Sequence, residues 1–345
     1  MIRRISLFKT EIPLAKNYLL SYGKVSSFQT IFAKINTDKK ETWGEFTYLP
    51  GYFKGLNFKE MWEKLVGFSK KMVGKDENYI LSKLDKAKDF LILSPIRIAI
   101  ERLSFLEELK ESVPLTKTIF EEDFFKKLLP CEIKHYKAFK IKVGTSGSVL
   151  DDIEFVEKVS EKIPPDSELR IDANQGYSSL EEAIELTRRV KQKIIYLEQP
   201  FPVEKWDWNN KLMKKTGISV MLDESIQNKE DILKAVRIGV PYIKLKLAKI
   251  GSIYKTIDYM QFAEKNGLKV IIGNGVATDI SCYLEALIWQ KGKTKKAGEM
   301  NGFLKPELYS NKLQEKEGKI VFNNKEKFMC EVLPKSFIKD FVEYK

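Results

Sequence analysis

Along the chain, the hydrophobic positions change period twice. Over the first 50 residues they alternate, in IRRISLFKT, FQTIFAKIN and TWGEFTYL, which predicts three strands separated by glycines and polar turns. From Phe58 the spacing becomes three and four. Residues 58–73 and 77–90 read as amphipathic helices, and SPIRIAIERLSFLEELK opens a third, with Ser94 as its cap and Pro95 at the first helical position. Three strands followed by three helices make one α+β unit. After Val113, short apolar runs and amphipathic stretches take turns. The runs are PLTKTIF, FKIKVG, ELRIDAN, KIIYLEQP, SVMLDES, YIKLKLA, KVIIGNG and AGEMN; among the helices between them are VLDDIEFVEKVSEKI, SLEEAIELTRRVKQK and SIYKTIDYMQFAEKNG. Eight strands with seven helical connections predict an α/β fold whose parallel sheet closes into a (β/α) barrel, an open doubly wound sheet being the alternative topology. No GxGxxG or P-loop follows any of these strands, so a nucleotide cofactor has no support. From Gly302 the tail is polar and lysine-rich and ends in a short amphipathic segment, expected to pack back on the first unit.

Composition narrows the chemistry. The 345 residues are 43% hydrophobic and 31% charged, which suits a large core and excludes a disordered or fibrous chain. One histidine, His135, excludes all-His zinc sites and two-His facial triads. Cys131, Cys282 and Cys330 are far apart and odd in number, which argues for a reducing compartment and against a thiolate metal cage. The net charge of +12 invites a nucleic-acid reading, but only eight arginines stand against 52 lysines, and the lysines are interleaved with acids, as in KEMWEK and EKEGK. Arginine makes the bidentate phosphate and guanine contacts, so the excess reads as solvated surface that steers anionic ligands, with no nucleic-acid partner. Neither a signal-peptide core nor an apolar run of about 18 residues occurs: FLILSPIRIAI is broken by Pro95 and Arg97. A cytoplasmic protein without a membrane partner is the expectation.

Side chains at the C-terminal ends of barrel strands converge on one site. Three successive strands end in a carboxylate: Asp172 in RIDAN, Glu198 in YLEQP and Asp223 in MLDES, spaced 26 and 25 residues apart, one β/α unit each. Each acid alone would serve equally as a helix N-cap. Together they repel one another unless a cation lies between them, and an all-oxygen donor set fits Mg²⁺ best, with Mn²⁺ able to substitute. Asn174 and Glu224 read as partners that hold these acids rather than as ligands. Lysine pairs flank the group, Lys140 and Lys142 on the preceding strand and Lys244 and Lys246 on the following one. Lysines at i and i+2 share a face, which is unusual in a strand buried on both sides. A buried lysine near other cations has a depressed pKa and can act as a base.

The series FKIKVG, IDANQGY, LEQPFP, LDES and KLAKIGS resembles the enolase superfamily, specifically the muconate-lactonising (muconate cycloisomerase) subgroup of the mandelate racemase/muconate lactonising enzyme family. The resemblance implies an N-terminal α+β capping domain over residues 1–112, a modified (β/α)7β TIM-type barrel over 113–305, and a C-terminal segment, 306–345, packing on the capping domain. It implies a homo-oligomer and a small carboxylate substrate. Asp172, Glu198 and Asp223 would ligate Mg²⁺, and Lys142 would be the base on one face. Lys246, five residues before Gly251 as in KxxKxG, would be the base or cation on the other. Lys140 joins the catalytic set because its charge, with Mg²⁺ and burial, would keep Lys142 neutral near pH 7. Lys244, one layer deeper, is a departure from the pattern.

The implied reaction is Mg²⁺-dependent abstraction of a proton alpha to a carboxylate through an enediolate, most like a cycloisomerase or racemase. The alternatives are an o-succinylbenzoate-synthase type syn-dehydration and a non-catalytic anion-binding barrel. The mandelate-racemase branch uses a histidine base on the seventh strand, and here that strand is KVIIGNG, so His135 is assigned a structural role. Dipeptide epimerases carry an Asp-x-Asp around the eighth strand, which AGEMNG lacks; GEMNG instead resembles the GxELxG of cycloisomerases, with Glu299 at the glutamate. GNGVATD, which contains Asn274, matches none of the branch patterns well. Asn274 and Glu299 are nonetheless read as supporting or substrate contacts. Two loops of the capping domain, 19–28 and 45–55, would set specificity through Tyr22, Tyr48 and Tyr52 as a mobile lid.

Overall fold

The computed structural model describes residues 1–20, 23–48, 57–120, 133–145, 147–307 and 312–345. The alternating N-terminal segments pair as a long antiparallel ladder: β1 (Ile2–Leu20), β2 (Gly23–Thr37) and β3 (Glu41–Tyr48). The sheet order is completed by β14 (Ile338–Tyr344), which pairs antiparallel with β1, so the last residues of the chain join the first unit. Three helices cover one face: α1 (Phe58–Lys70), α2 (Glu77–Asp85) and α3 (Ser94–Ser104). Met61, Leu65, Ile80 and Ile96 meet Ile5, Ile31 and Ile35 of the sheet in one apolar cluster. α1 and α2 start at Asn57 and Asp76, whose side chains accept from backbone amides of their first turns.

Two expectations for α3 need correction. Ser94 is the first helical residue rather than the cap, and its buried hydroxyl caps nothing. The helix also ends at Ser104, not Lys110, because Phe105 leaves helical backbone and packs edge-on against Tyr254.

α3 lies directly on β3 at Gly44. A Cβ there would strike the Pro95 carbonyl oxygen and come within 2.8 Å of the Ala99 nitrogen, both helix backbone that cannot swing aside. Gly44→Ala is therefore expected to cost about 1–3 kcal/mol of stability. Urea denaturation measures this, and an unchanged midpoint would contradict the close contact.

The second part is a seven-stranded parallel sheet: β5 (Thr116–Ile119), β6 (Ala138–Lys142), β7 (Glu168–Asp172), β8 (Ile194–Glu198), β9 (Val220–Leu222), β10 (Tyr242–Leu245) and β11 (Lys269–Ile272), in that order across the sheet. The eighth expected strand, AGEMN, is reduced to two bridges, Gly298 with Leu115 beside β5 and Glu299 with Gly273 beside β11. Through this segment the two edges of the curled sheet meet, which excludes the open doubly wound alternative.

The connecting helices are α4 (Val149–Ser160), α5 (Leu180–Arg189), α6 (Trp206–Thr216), α7 (Lys229–Arg237), the short α8 (Leu247–Ile250), α9 (Ile253–Lys265) and α10 (Asp279–Lys291). Their starts are written locally. Ser179 with Glu182, and Asn228 with Asp231, form reciprocal capping boxes. No helix among the described residues is long and apolar enough to cross a membrane.

Two buried carboxylates of the first unit reach the N-termini of barrel helices. Glu101 of α3 accepts from Ser252 Oγ and Ile253 N, each at 2.6 Å, at the start of α9. Glu45 of β3 accepts from Thr278 N at 2.8 Å, Ser281 N at 3.2 Å and the Thr278 hydroxyl at the start of α10. Exposed amides and the positive end of a helix dipole suit a carboxylate. These contacts fix how the first unit sits on the curled sheet. A small sheet of β12 (Leu313–Lys316), β13 (Lys319–Phe322) and β4 (Val113–Pro114) binds the tail to the start of the barrel region.

Candidate active site

Strand register brings the chemistry together. Lys142 pairs with Asp172 and Asp172 with Glu198 across β6, β7 and β8, so the three side chains share one layer of the same sheet face. One layer deeper, Lys140 pairs with Arg170 and Arg170 with Tyr196. Asp223 follows β9 and Lys246 follows β10, extending the upper row.

The acids and lysines interlock. Lys142 Nζ donates to Asp172 Oδ2 at 2.6 Å and to the Asn174 side chain. Lys140 Nζ lies 3.0 Å from Asp172, 3.5 Å from Glu198 and in close contact with Glu299. Lys244 Nζ lies 2.5 Å from Glu198, 2.7 Å from Glu299 and 3.8 Å from Asp223. Lys246 Nζ meets Asp223 Oδ2 at 2.6 Å, and Lys249, from α8, meets its Oδ1 at 2.9 Å and its backbone oxygen at 2.5 Å. Asn174 Nδ2 donates to Glu224 Oε1 at 3.0 Å, which ties the segments after β7 and β9 together.

Five acids and five lysines form this group, so their formal charges cancel. Lys244, which the motif left without a role, ties the acid row to Glu299 and forms the floor of the group.

The electrostatics follow from burial and neighbours. Burial alone would raise the Asp172 and Asp223 carboxyls, but Lys142 and Lys140 hold the first, and Lys246 and Lys249 the second, well below the usual carboxylate range. Glu198 goes the other way, raised by burial and by the Asp172 charge. Among the lysines, burial works to lower Lys140, Lys244 and Lys246, yet adjacent carboxylates hold all three above the ordinary value. For these three lysines the protein's own acids outweigh burial. Lys249 is lowered, by burial and by Lys246.

The donor chemistry fits a hard divalent cation. Asp172, Glu198 and Asp223 are buried oxygen donors, Glu224 is raised by burial and by the Asp223 charge, and its Oε2 is buried without a hydrogen-bond partner among the described residues. As placed, no three acids among the described residues converge tightly enough to close around one ion, because the Lys140 and Lys244 ammonium groups lie between them.

Other expectations fare differently. Asn274 spends its amide on Glu285, Cys282 and the Gly302 N–H, away from the acid–lysine group. Tyr48 packs on Phe58 at 5.4 Å within the first unit's own core, while Tyr22, Tyr52 and Cys131 lie outside the described residues. Sequence reasoning passed over three residues. Lys249 was legible as the second lysine of KxxKxG. Gln199 has φ of 36°, rare without glycine, and its side-chain oxygen accepts from the Asp223 and Ser225 amides at 3.1 and 3.2 Å, which sets the Asp223 backbone. Glu285, in an apolar helix, carried no local signal.

Comparison with known proteins gives the family of the chain. The chain is 23% identical over 306 residues to the N-succinyl-L-Arg/Lys racemase of Bacillus cereus, covering 81% of each, and 24% identical over 292 residues to an o-succinylbenzoate synthase of Escherichia coli, covering 81% of this chain and 84% of that one. Two solved structures share the fold over 100% of both chains: N-succinyl Arg/Lys racemase from Bacillus cereus, with TM-score 0.85 at 21% identity, and a dipeptide epimerase from Cytophaga hutchinsonii complexed with Mg and D-Ala-L-Val, with TM-score 0.83 at 20% identity. The enolase C-terminal domain-like family model matches residues 130–325, more than half of the chain, and the protein belongs to that family and to the enolase superfamily.

Proposed function

We propose that this protein is an isomerase that moves a proton between the two faces of the α-carbon of a carboxylate, with an N-acylated α-amino acid as the substrate class. The observation that carries the reading is the placement of Lys142 and Lys246 at opposite ends of the Asp172–Glu198–Asp223 row, each 2.6 Å from a different acid. In the reaction the α C–H bond breaks toward the Nζ of one lysine in its neutral form, and the ammonium of the other delivers a proton to the opposite face; the two lysines end with their protonation states exchanged, and proton exchange with water resets them. Asp172, Glu198 and Asp223 would hold Mg²⁺, which when bound supplies Lewis-acid stabilisation of charge on the substrate carboxylate, worth several kcal/mol. Lys140 and Lys249 help hold Asp172 and Asp223 ionised, and Lys244 ties Glu198 to Glu299.

The likeness to the N-succinyl-L-Arg/Lys racemase supports an N-acyl amino acid, and the lack of Asp-x-Asp in AGEMNG disfavours a dipeptide. Residues 1–112 act in this reading as the capping domain over a barrel of 113–305, with 306–345 returning to it and the loops around 19–28 and 45–55 contacting the substrate.

The test is proton exchange in D₂O. With Mg²⁺, each enantiomer of N-succinyl-lysine is expected to lose its α-hydrogen signal by NMR and to racemise by polarimetry, and excess EDTA is expected to abolish both. An o-succinylbenzoate-synthase type syn-dehydration, favoured by the second relative, needs only one lysine and a substrate with a β-hydroxyl to leave as water; loss of water from such a β-hydroxy carboxylate, with no racemisation of N-succinyl-lysine, would favour it. Ligand binding indifferent to EDTA, with no exchange, would leave a non-catalytic anion binder.

A further inference from the structure

Glu285 is a fully buried carboxylate on α10 that the mechanism above does not use. Its Oε1 accepts the Leu247 N–H at 3.0 Å and its Oε2 accepts Asn274 Nδ2 at 2.5 Å. Burial pushes its carboxyl up to about 8 against the lowering effect of these two bonds. A buried carboxyl is costly, and this one holds a specific backbone group in return.

Leu247 is the first residue of α8, and the N-cap of that helix is Lys246, whose own side chain makes no capping bond. The orphan amide at the helix start is thus satisfied from 38 residues away by Glu285. Lys246, at φ −130° and ψ 129°, is held between the end of β10 and this clamp. Asn274 fixes the other side of the carboxylate and accepts from Gly302 N at 3.1 Å, so the clamp includes the segment after β11 and the one after the edge-closing bridges. The N-terminus of the same helix α10 is held by Glu45 of the first unit. Lys142 depends on a different support, the ladder between β6 and β7.

We propose that Glu285, with Asn274, is a positioning residue for Lys246 and not for Lys142, so that it governs proton transfer on one face of the substrate only. The proposal rests on the two-lysine reading above and makes the two faces separable. In D₂O with Mg²⁺, Glu285→Met is expected to slow α-hydrogen exchange by about 10²-fold for the enantiomer of N-succinyl-lysine that Lys246→Ala silences, leaving the other within about twofold. Glu285→Gln keeps an oxygen for the Leu247 amide and is expected to restore most of that rate. Asn274→Ala, which leaves Leu247 its acceptor but frees the carboxylate, should show the same face-selective loss in smaller measure and keeps the test open should Glu285→Met not fold. Equal losses for both enantiomers, or none, overturn the proposal. Should the wild-type protein exchange neither enantiomer, the functional reading fails instead. The positioning claim is then decided by the crystal structure of the Asn274→Ala or Glu285→Met variant, where a Lys246 Nζ still 2.6 Å from Asp223 would refute it.

Discussion

Lys142→Ala and Lys246→Ala are each expected to lower racemisation of N-succinyl-lysine by about 10²–10⁴-fold, the range for losing a positioned acid or base. Racemisation uses one lysine as base and the other as acid, so either loss stops the full cycle. Exchange of the α-hydrogen with D₂O needs only the base. Each single variant is therefore expected to lose exchange from one enantiomer and keep it for the other, with opposite choices in the two variants. Both variants should remain folded, because neither strands an acid. Asp172 keeps Lys140 at 3.0 Å when Lys142 is removed, and Asp223 keeps Lys249 at 2.9 Å when Lys246 is removed. Lys142 and Lys246 are also the more open lysines of the group, with 22% and 13% of their side chains exposed against 5% or less for Lys140, Lys244 and Lys249. A variant that still racemises at the wild-type rate removes that lysine from the reaction, while loss of exchange from both enantiomers in one variant points to a single-base mechanism.

The row from Lys142 to Lys246 was legible in the sequence because a parallel barrel delivers one strand end per β/α unit, so a spacing of 25 or 26 residues is also a position in space. The capping boxes at Ser179 and Asn228 are also written within four residues, although the helix patterns were read without them. What stayed hidden depends on distant partners. AGEMN has the composition of a strand, yet it makes only the bridges at Gly298 and Glu299, because its task is to join two edges. Phe105 follows a helical pattern that its contact with Tyr254 overrides. Glu285 sits in a helix buried along nearly its whole length, where no period singles out a carboxylate. The upward shift of Lys140, Lys244 and Lys246 likewise comes from acids distant in sequence, which a lysine pair does not announce.

The second large effect is on stability and concerns the floor of the site. Lys244→Met is expected to cost about 3–5 kcal/mol, the range for removing one partner of a buried ion pair. Lys244 is almost wholly buried and donates at 2.5 Å to Glu198 and 2.7 Å to Glu299. Burial lowers its pKa, and Glu198 and Glu299 more than offset this, so the ion pairs outweigh desolvation. Without it, Glu198 retains Lys140 only at 3.5 Å, and Glu299, whose Oε1 already lacks a hydrogen-bond partner, shares that same lysine. Glu299→Gln in the same chain removes the stranded charge, and the double variant is expected to recover about half or more of the loss, since neighbours in one ionic network are not additive. Urea denaturation of the two single variants and the double variant gives the coupling directly. The acid row and its floor share Lys140, so the stability loss should be accompanied by weaker Mg²⁺ binding in calorimetry, through a less constrained Glu198. Additive effects of the two substitutions, or a single-variant loss below about 1 kcal/mol, would mean that Lys244 and Glu299 do not act as one unit.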